Sequence, residues 1–279
     1  MSAGPQLAAG VAPKSLPPLP PGFEWKRQGA LPWIEAPLPG ARAAFSTRAG
    51  GFSGGPYAAL NLGFLTDDDP ALVARNRDLL AGAVGRDPEA IAIGFQVHGR
   101  ELQVHTKRPP ASPYSSRGSN PAKVDAQLTD QADVTPLVLV ADCVPLVLSA
   151  PGAVAAVHCG WRGVAAGIVE RAVAALSELG NAGADALAAA IGPGIGPCCY
   201  RIGDEVRSAF RERGHEGAVG NATLDLPRAI RVELERAGVD ASMTRSCGLC
   251  TSCNPGLFFS HRRDKGVSGR QAGLAWLAP

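Results

Sequence analysis

The sequence lacks an uninterrupted apolar stretch. Its most apolar segment, Val134 to Val157, is broken by Pro136, Asp142, Pro145 and Pro151. A membrane-spanning helix needs about 20 largely apolar residues in a row, so no membrane association is expected. An excess of either charge is missing too: 27 Lys+Arg against 25 Asp+Glu leave a net +2. A dedicated nucleic-acid binder would show a basic stripe. The N-terminus has no basic segment followed by a compact apolar one, so no secretory signal is expected. Beyond Phe23 no period of roughly 20–50 residues recurs, which excludes a solenoid. Histidine is scarce, at five residues in 279.

What is there describes a folded, soluble, cytoplasmic chain. Hydrophobic residues make up 46% and charged residues 19%, too apolar for intrinsic disorder. A chain of this length buries roughly three quarters of its unfolded surface and needs neither metal nor disulfide merely to fold. Seven cysteines is an odd count, which fits reduced thiols, some of them metal ligands, better than a disulfide framework. A monomer is expected. Residues 1–22 hold six prolines and read as an extended or disordered tail. No linker interrupts 23–279, so a single domain is expected there.

Helices are expected where apolar residues recur at helical spacing. Asp69-Pro70 caps one that carries Leu72, Val73, Leu79 and Leu80. Val164 to Leu179 reads as another, ending at Gly180; Gly203 to Arg213 is a short third; Asp225 caps a last one that stops at Gly238. Strands are expected at Leu137–Ala141, Ala153–Val157 and Leu187–Ile191, with shorter ones at Ala43–Ser46 and Glu101–His105. Unbroken apolar runs are strands buried on both faces, and helices mixed with such strands imply a layered α/β or α+β domain.

The chemistry concentrates where these strands end. Ala141-Asp142-Cys143 interrupts one strand with a carboxylate and a thiol; a buried carboxylate needs a partner or a task. Another strand runs into His158-Cys159-Gly160-Trp161-Arg162-Gly163 and directly into a helix. Free N–H groups and the helix dipole favour an anion there. A further histidine lies in Gln96-Val97-His98-Gly99. His98, Cys143 and His158 are thus three potential metal ligands, although by residue type and spacing alone core roles are the commoner reading.

These segments occur in one order together with Phe45-Ser46-Thr47-Arg48-Ala49-Gly50-Gly51, Asn61-Leu62-Gly63, Asp125-Ala126, Ile191-Gly192-Pro193 and Phe259-Ser260-His261-Arg262-Arg263-Asp264. In that combination the chain, over about residues 40–272, resembles the laccase-domain family. That family is also called the multicopper polyphenol oxidase or purine nucleoside phosphorylase family, and it includes the peptidoglycan-editing factor. The resemblance implies an α+β fold, a layered α/β/β/α sandwich with mixed sheets. It implies a zinc ion held by His98, Cys143 and His158, with Arg48 and Gln96 in motifs associated with the same pocket.

The function implied is phosphorolysis of purine nucleosides (adenosine, inosine, methylthioadenosine) with adenosine deamination alongside. A laccase-like oxidation of phenols is the alternative tradition of the family. Five histidines with no His-x-His pair cannot assemble a trinuclear copper centre, although copper can substitute for zinc at one site. The His-x-Glu and Pro-Cys-x-x-Cys signature of zinc base deaminases is also missing. A deaminase would need another general base, for which Asp142 is the candidate; its alternative role is to orient a ligand or loop. Arg48, beside flexible glycines, is expected to grip phosphate, with Arg162 as a possible helper. A third reading makes Cys143 and His158 a cysteine hydrolase pair acting on cell-wall peptides.

Three features stand apart. Cys247, Cys250 and Cys253 form two overlapping Cys-x-x-Cys units, in which a reversible disulfide is expected ahead of a second metal. A four-thiolate site would need a distant partner such as Cys198 or Cys199. His261 reads as pocket wall or packing, at least one of Arg262 and Arg263 as a salt-bridge partner, and His105 and His215 as exposed.

Overall fold

The computed structural model describes residues 15–109, 112–115 and 120–278. Twelve strands and five α-helices follow in chain order: β1 (Glu24–Gln28), β2 (Leu31–Leu38), β3 (Ala41–Ser46), α1 (Pro70–Ala83), β4 (Ile91–Ala92), β5 (Leu102–His105), β6 (Ala126–Thr129), β7 (Thr135–Val140), β8 (Val144–Ala150), β9 (Ala153–Cys159), α2 (Trp161–Ala165), α3 (Ile168–Leu179), β10 (Ala188–Ile191), α4 (Asp204–Glu212), α5 (Leu226–Arg236), β11 (Thr244–Ser246) and β12 (Gln271–Leu277). No helix among them is long and apolar enough to cross a membrane.

The strands form two six-stranded sheets, ordered β1-β2-β3-β12-β7-β4 and β11-β10-β8-β9-β6-β5. Each mixes antiparallel pairs with a parallel pair at an edge: β4 with β7 in the first, β5 with β6 and β10 with β11 in the second. Alternation along the strands sends one side chain in two toward the other sheet. Ile34, Phe45 and Ala275 of the first sheet thereby share a buried layer with Val147, Val154 and Ala190 of the second. The opposite faces are covered by helices. Leu80 and Ala81 of α1 close the first sheet over Trp33, Leu137 and Leu274. Val164, Ile168, Val173, Phe210 and Ile230, from α2 to α5, close the second. This is the expected α/β/β/α sandwich. The all-buried runs of β8 and β9 belong to its central layers.

Local chemistry accounts for most helix ends. Asp69 caps α1 by accepting from Ala71 N–H, with Pro70 in the first turn. Asp225 caps α5 by accepting from Arg228 N–H at 3.0 Å. The helix expected over Val164–Leu179 is two helices. Gly167 stands between them in the left-handed region at φ 88°, which turns α3 away from α2. His215, expected exposed, is buried against the buried Glu233, which Arg213 also meets at 2.8 Å. His105 has a partner in Gln127, 2.6 Å away. Of the Pro-rich segment, residues 1–14 lie outside the described residues. Residues 15–22 have no helix or strand; Leu16 and Leu19 rest on the inter-sheet layer, and Trp25 Nε1–H donates to Pro17 O at 2.8 Å.

Gly167→Ala discriminates the broken helix from a continuous one. In a continuous helix the change stabilises by about 1 kcal/mol. At a left-handed position it costs about 1–2 kcal/mol instead, and here the new Cβ would stand 2.7 Å from Glu170 Oε2. Urea denaturation should show the loss.

Candidate active site

The link from β7 to β8 crosses from one sheet to the other within three residues, Ala141-Asp142-Cys143. Such a crossing needs a sharp reversal, and Asp142 supplies it at φ 86°. Its carboxylate is buried and engaged on both oxygens: Oδ1 accepts from Thr251 Oγ1–H at 2.6 Å, and Oδ2 from Arg262 N–H at 2.7 Å. The chain thus answers the cost of a buried carboxylate with two donors from two distant loops.

His158 lies near the end of β9, opposite Pro145 in register with β8. Strand alternation places its neighbour Cys159 in the helix-covered layer and turns His158 toward the region between the sheets. Burial keeps the Cys159 thiol pKa well above the ordinary value. His98 comes from the loop between β4 and β5 and also has a left-handed backbone, φ 59°. Asp125, fully buried at the start of β6, holds that loop. One of its oxygens accepts from His98 N–H at 2.9 Å, the other from Val97 N–H at 3.1 Å and Gly99 N–H at 2.8 Å. Its Oδ1 also meets His158 Nδ1 at 2.7 Å. This fixes the His158 tautomer so that Nε2 is free for a ligand.

His98, Cys143 and His158 therefore converge. Their ligand atoms all lie within 4.8 Å of one another, and the two imidazoles meet edge to face at 4.9 Å. Gly160 permits the approach: a Cβ there would stand 2.8 Å from His98 Cδ2 and 3.3 Å from Cys143 Sγ. Burial pushes the Cys143 thiol up, but the charge and hydrogen bonds of His158 and His98 pull it down further, to about 6. Burial lowers the His158 pKa, yet Cys143 and Asp125 raise it to about 9. Cys143 is thereby biased toward thiolate. A thiolate with two imidazoles is a donor set that suits a divalent transition metal, with a position left for solvent or substrate.

His98, Cys143 and His158 open onto a cavity of about 210 Å³. Trp161 and Tyr200 form walls, and His261, Arg262 and Arg270 reach its rim. Burial, helped by the Cys143 charge, raises the Tyr200 phenol pKa, so it stays a neutral donor. Arg262 stacks over Tyr200 at 5.3 Å, while Arg263 pairs with Asp264 at 2.8 Å. Arg270 Nη1–H donates to Ser268 O at 2.7 Å.

None of Arg48, Gln96 and Arg162 is among the residues that line the cavity. Arg48 Nε–H donates to Ala58 O at 2.7 Å, Nη1–H to Pro255 O at 3.2 Å, and the guanidinium lies 4.5 Å over the Phe259 ring. Gln96 spends both ends of its amide on Leu139 of β7, at 2.7 Å each. Arg162 is exposed and stacks on Trp161 at 4.4 Å. Sequence reasoning passed over Asp125's role, Tyr200 and Arg270. Asp125-Ala126 at least carried a signal, an acid opening an apolar strand.

Comparison with known proteins places the chain among relatives along nearly its whole length. The family model described as multi-copper polyphenol oxidoreductase laccase matches residues 42–278. A purine nucleoside phosphorylase, YlmD of Geobacillus stearothermophilus, is 37% identical over 90% of this chain and 96% of its own. The purine nucleoside phosphorylase SCO2081 of Streptomyces coelicolor is 37% identical over 85% and 96%. Among solved structures, the Bacillus licheniformis hypothetical protein YfiH superposes with a TM-score of 0.85 at 29% identity, covering 91% of this chain and 99% of its own.

Asp125→Asn keeps the shape but weakens both the loop clamp and the hold on His158. Metal affinity should fall about 10–100-fold with the fold intact, measured by competition with a chromophoric chelator. Unchanged affinity would mean that Asp125 serves the loop alone.

Proposed function

Since the chain belongs to the multi-copper polyphenol oxidoreductase laccase family, whose similar members carry the name purine nucleoside phosphorylase, we propose that it is a zinc-dependent purine nucleoside phosphorylase. Adenosine and inosine are its substrates, with adenosine deamination as a second activity. The observation that carries this reading is the cavity itself, in which His98, Cys143 and His158 stand beside two arginines, a neutral phenol and an indole wall.

Phosphorolysis joins a phosphate oxygen to C1′ of the ribose. It breaks the bond from C1′ to the purine, whose nitrogen keeps the electron pair and gains a proton. The products are ribose 1-phosphate and the free base. Arg262 and Arg270 suit the dianion, because a guanidinium offers a fixed fork of donors. Tyr200 offers a neutral hydrogen bond to the sugar or the departing base, and Trp161 gives the purine a flat apolar wall. Bound by His98, Cys143 and His158, zinc would supply Lewis acidity and a lowered water pKa. Asp142, committed to Thr251 and Arg262, shapes the cavity wall and carries the Arg262 backbone to its place.

A second reading draws on one observation, the Cys143–His158–Asp125 chain, which resembles the nucleophile, base and orienting acid of a cysteine hydrolase. Zinc decides between them, because a coordinated thiolate is no free nucleophile. Iodoacetamide should label Cys143 quickly in chelated protein and slowly in zinc-loaded protein that turns over nucleosides. Full hydrolase activity of the chelated protein would favour the hydrolase.

The principal test incubates purified protein with inosine and adenosine, with and without phosphate, and follows free base and ribose 1-phosphate. Base release should require phosphate. Arg270→Ala should cost phosphorolysis about 10²–10³-fold, the scale of one lost electrostatic contact in a transition state, and should spare deamination, which consumes water. Arg48→Ala should lower both reactions alike and reduce stability, since Arg48 ties two loops rather than a ligand. Phosphate-independent release of the base would sink the phosphorylase reading.

A further inference from the structure

Four cysteines outside this cavity converge from two separate turns. Cys198 and Cys199 sit on the turn after β10, closed by Cys199 N–H and Tyr200 N–H donating to Gly196 O at 3.0 and 2.9 Å. Cys250 and Cys253 sit on the loop after β11, which is laid beside the first turn by a bridge from Gly194 to Cys250 and by Thr251 N–H donating to Gly194 O at 3.0 Å. Cys253 Sγ is 3.4 Å from both Cys198 Sγ and Cys199 Sγ. All four sulfurs lie within 4.8 Å of one another. None is in a disulfide. Gly196 N–H donates to Cys250 Sγ at 3.2 Å, the kind of backbone donor that offsets negative charge on sulfur. Cys247, the first thiol of the overlapping Cys-x-x-Cys units, does not take part; it is buried in the inter-sheet layer.

We propose that Cys198, Cys199, Cys250 and Cys253 form a second, mononuclear zinc site with four thiolate ligands. A tetrahedral zinc with bonds of about 2.3 Å holds its sulfurs about 3.8 Å apart, which the observed spacings bracket. An iron–sulfur cluster divides its cysteines among several irons and keeps them farther apart. A disulfide would use two thiols and leave two unexplained beside it. Four protein ligands leave no position for water, so this site is structural and takes no part in turnover.

Its position gives it a consequence for the cavity. Tyr200 follows Cys199 directly, and Thr251, which holds Asp142, follows Cys250 directly. Zinc there joins the two turns that carry one wall of the cavity and the support of another.

The test counts metal in reduced, full-length protein loaded with zinc and desalted. The wild-type chain should retain about two zinc ions, Cys253→Ser about one, His98→Ala about one, and the double variant none. Loading with cobalt(II) identifies the ligands: Cys253→Ser should remove most of the sulfur-to-cobalt near-ultraviolet absorption, and His98→Ala should leave most of it. Circular dichroism checks the fold, and Cys199→Ser provides a second variant should Cys253→Ser misfold. A single zinc in the wild type, kept by Cys253→Ser and lost by His98→Ala, would overturn the proposal. So would a disulfide between Cys253 and Cys198 or Cys199 in protein purified without oxidant. The metal count is independent of catalysis, so two zinc ions in a chain that fails to phosphorolyse inosine would refute the phosphorylase reading alone.

Discussion

A carboxylate with no access to water must be met by donors, and Asp125 meets four. Three are backbone N–H groups of one short loop and the fourth is the His158 ring. Burying that charge without them would cost several kcal/mol. The requirement therefore fixes the loop, holds His98 in a backbone conformation that an L-residue rarely adopts, and selects the His158 tautomer. Strain of this kind, about 1–3 kcal/mol per residue, persists only where the surroundings over-determine it. Here one side chain does so for His98 and His158, and Cys143, the third member of the cluster, is set by the crossing between the sheets.

The layered architecture explains why that crossing matters. Two sheets that pack face to face share side chains along most of their length, but at the strand ends their backbones part. His98, Cys143, His158, Trp161 and the arginines occupy that edge, where polar groups can meet a bound molecule without being sealed in the apolar layer. Asp142 belongs to the same logic. It ends an apolar strand, so its charge would be stranded if Thr251 and the Arg262 backbone did not reach it.

The sequence was most legible where local chemistry decides the outcome. The caps of α1 and α5 follow from Asp69 and Asp225, and β7, β9 and β10 from their apolar runs. His98, Cys143 and His158 were visible as residue types at strand ends, their convergence follows from the fold, and strand alternation separates His158 from Cys159. Less was visible where long-range pairing decides. Pro32 and Pro37 obscure β2, and nothing in Gln271–Leu277 announces a central strand. Gly167 reads as one more helical position until its backbone conformation is known. The phosphate grip expected of Arg48 meets the carbonyls of Ala58 and Pro255 instead, a difference hidden in sequence because an arginine beside glycines looks the same in either role. Arg270 was missed for the converse reason, since only the tertiary fold carries it to the cavity rim.

The first sheet has a feature that bears on how the molecule is made. Strand β12, from Gln271 to Leu277, lies between β3 and β7 and pairs with both. A chain emerging from the ribosome thus displays β3 and β7 with unpaired edges for the whole interval needed to synthesise the residues between Val140 and Gln271. The second sheet needs no such late partner at its centre, because β8 and β9 are joined by a tight turn. The two halves of the sandwich consequently mature at different times. Open strand edges attract other chains, and pairing across such separation in sequence is slow. During synthesis the hazard lies in the first sheet, and its end is set by the arrival of one seven-residue strand.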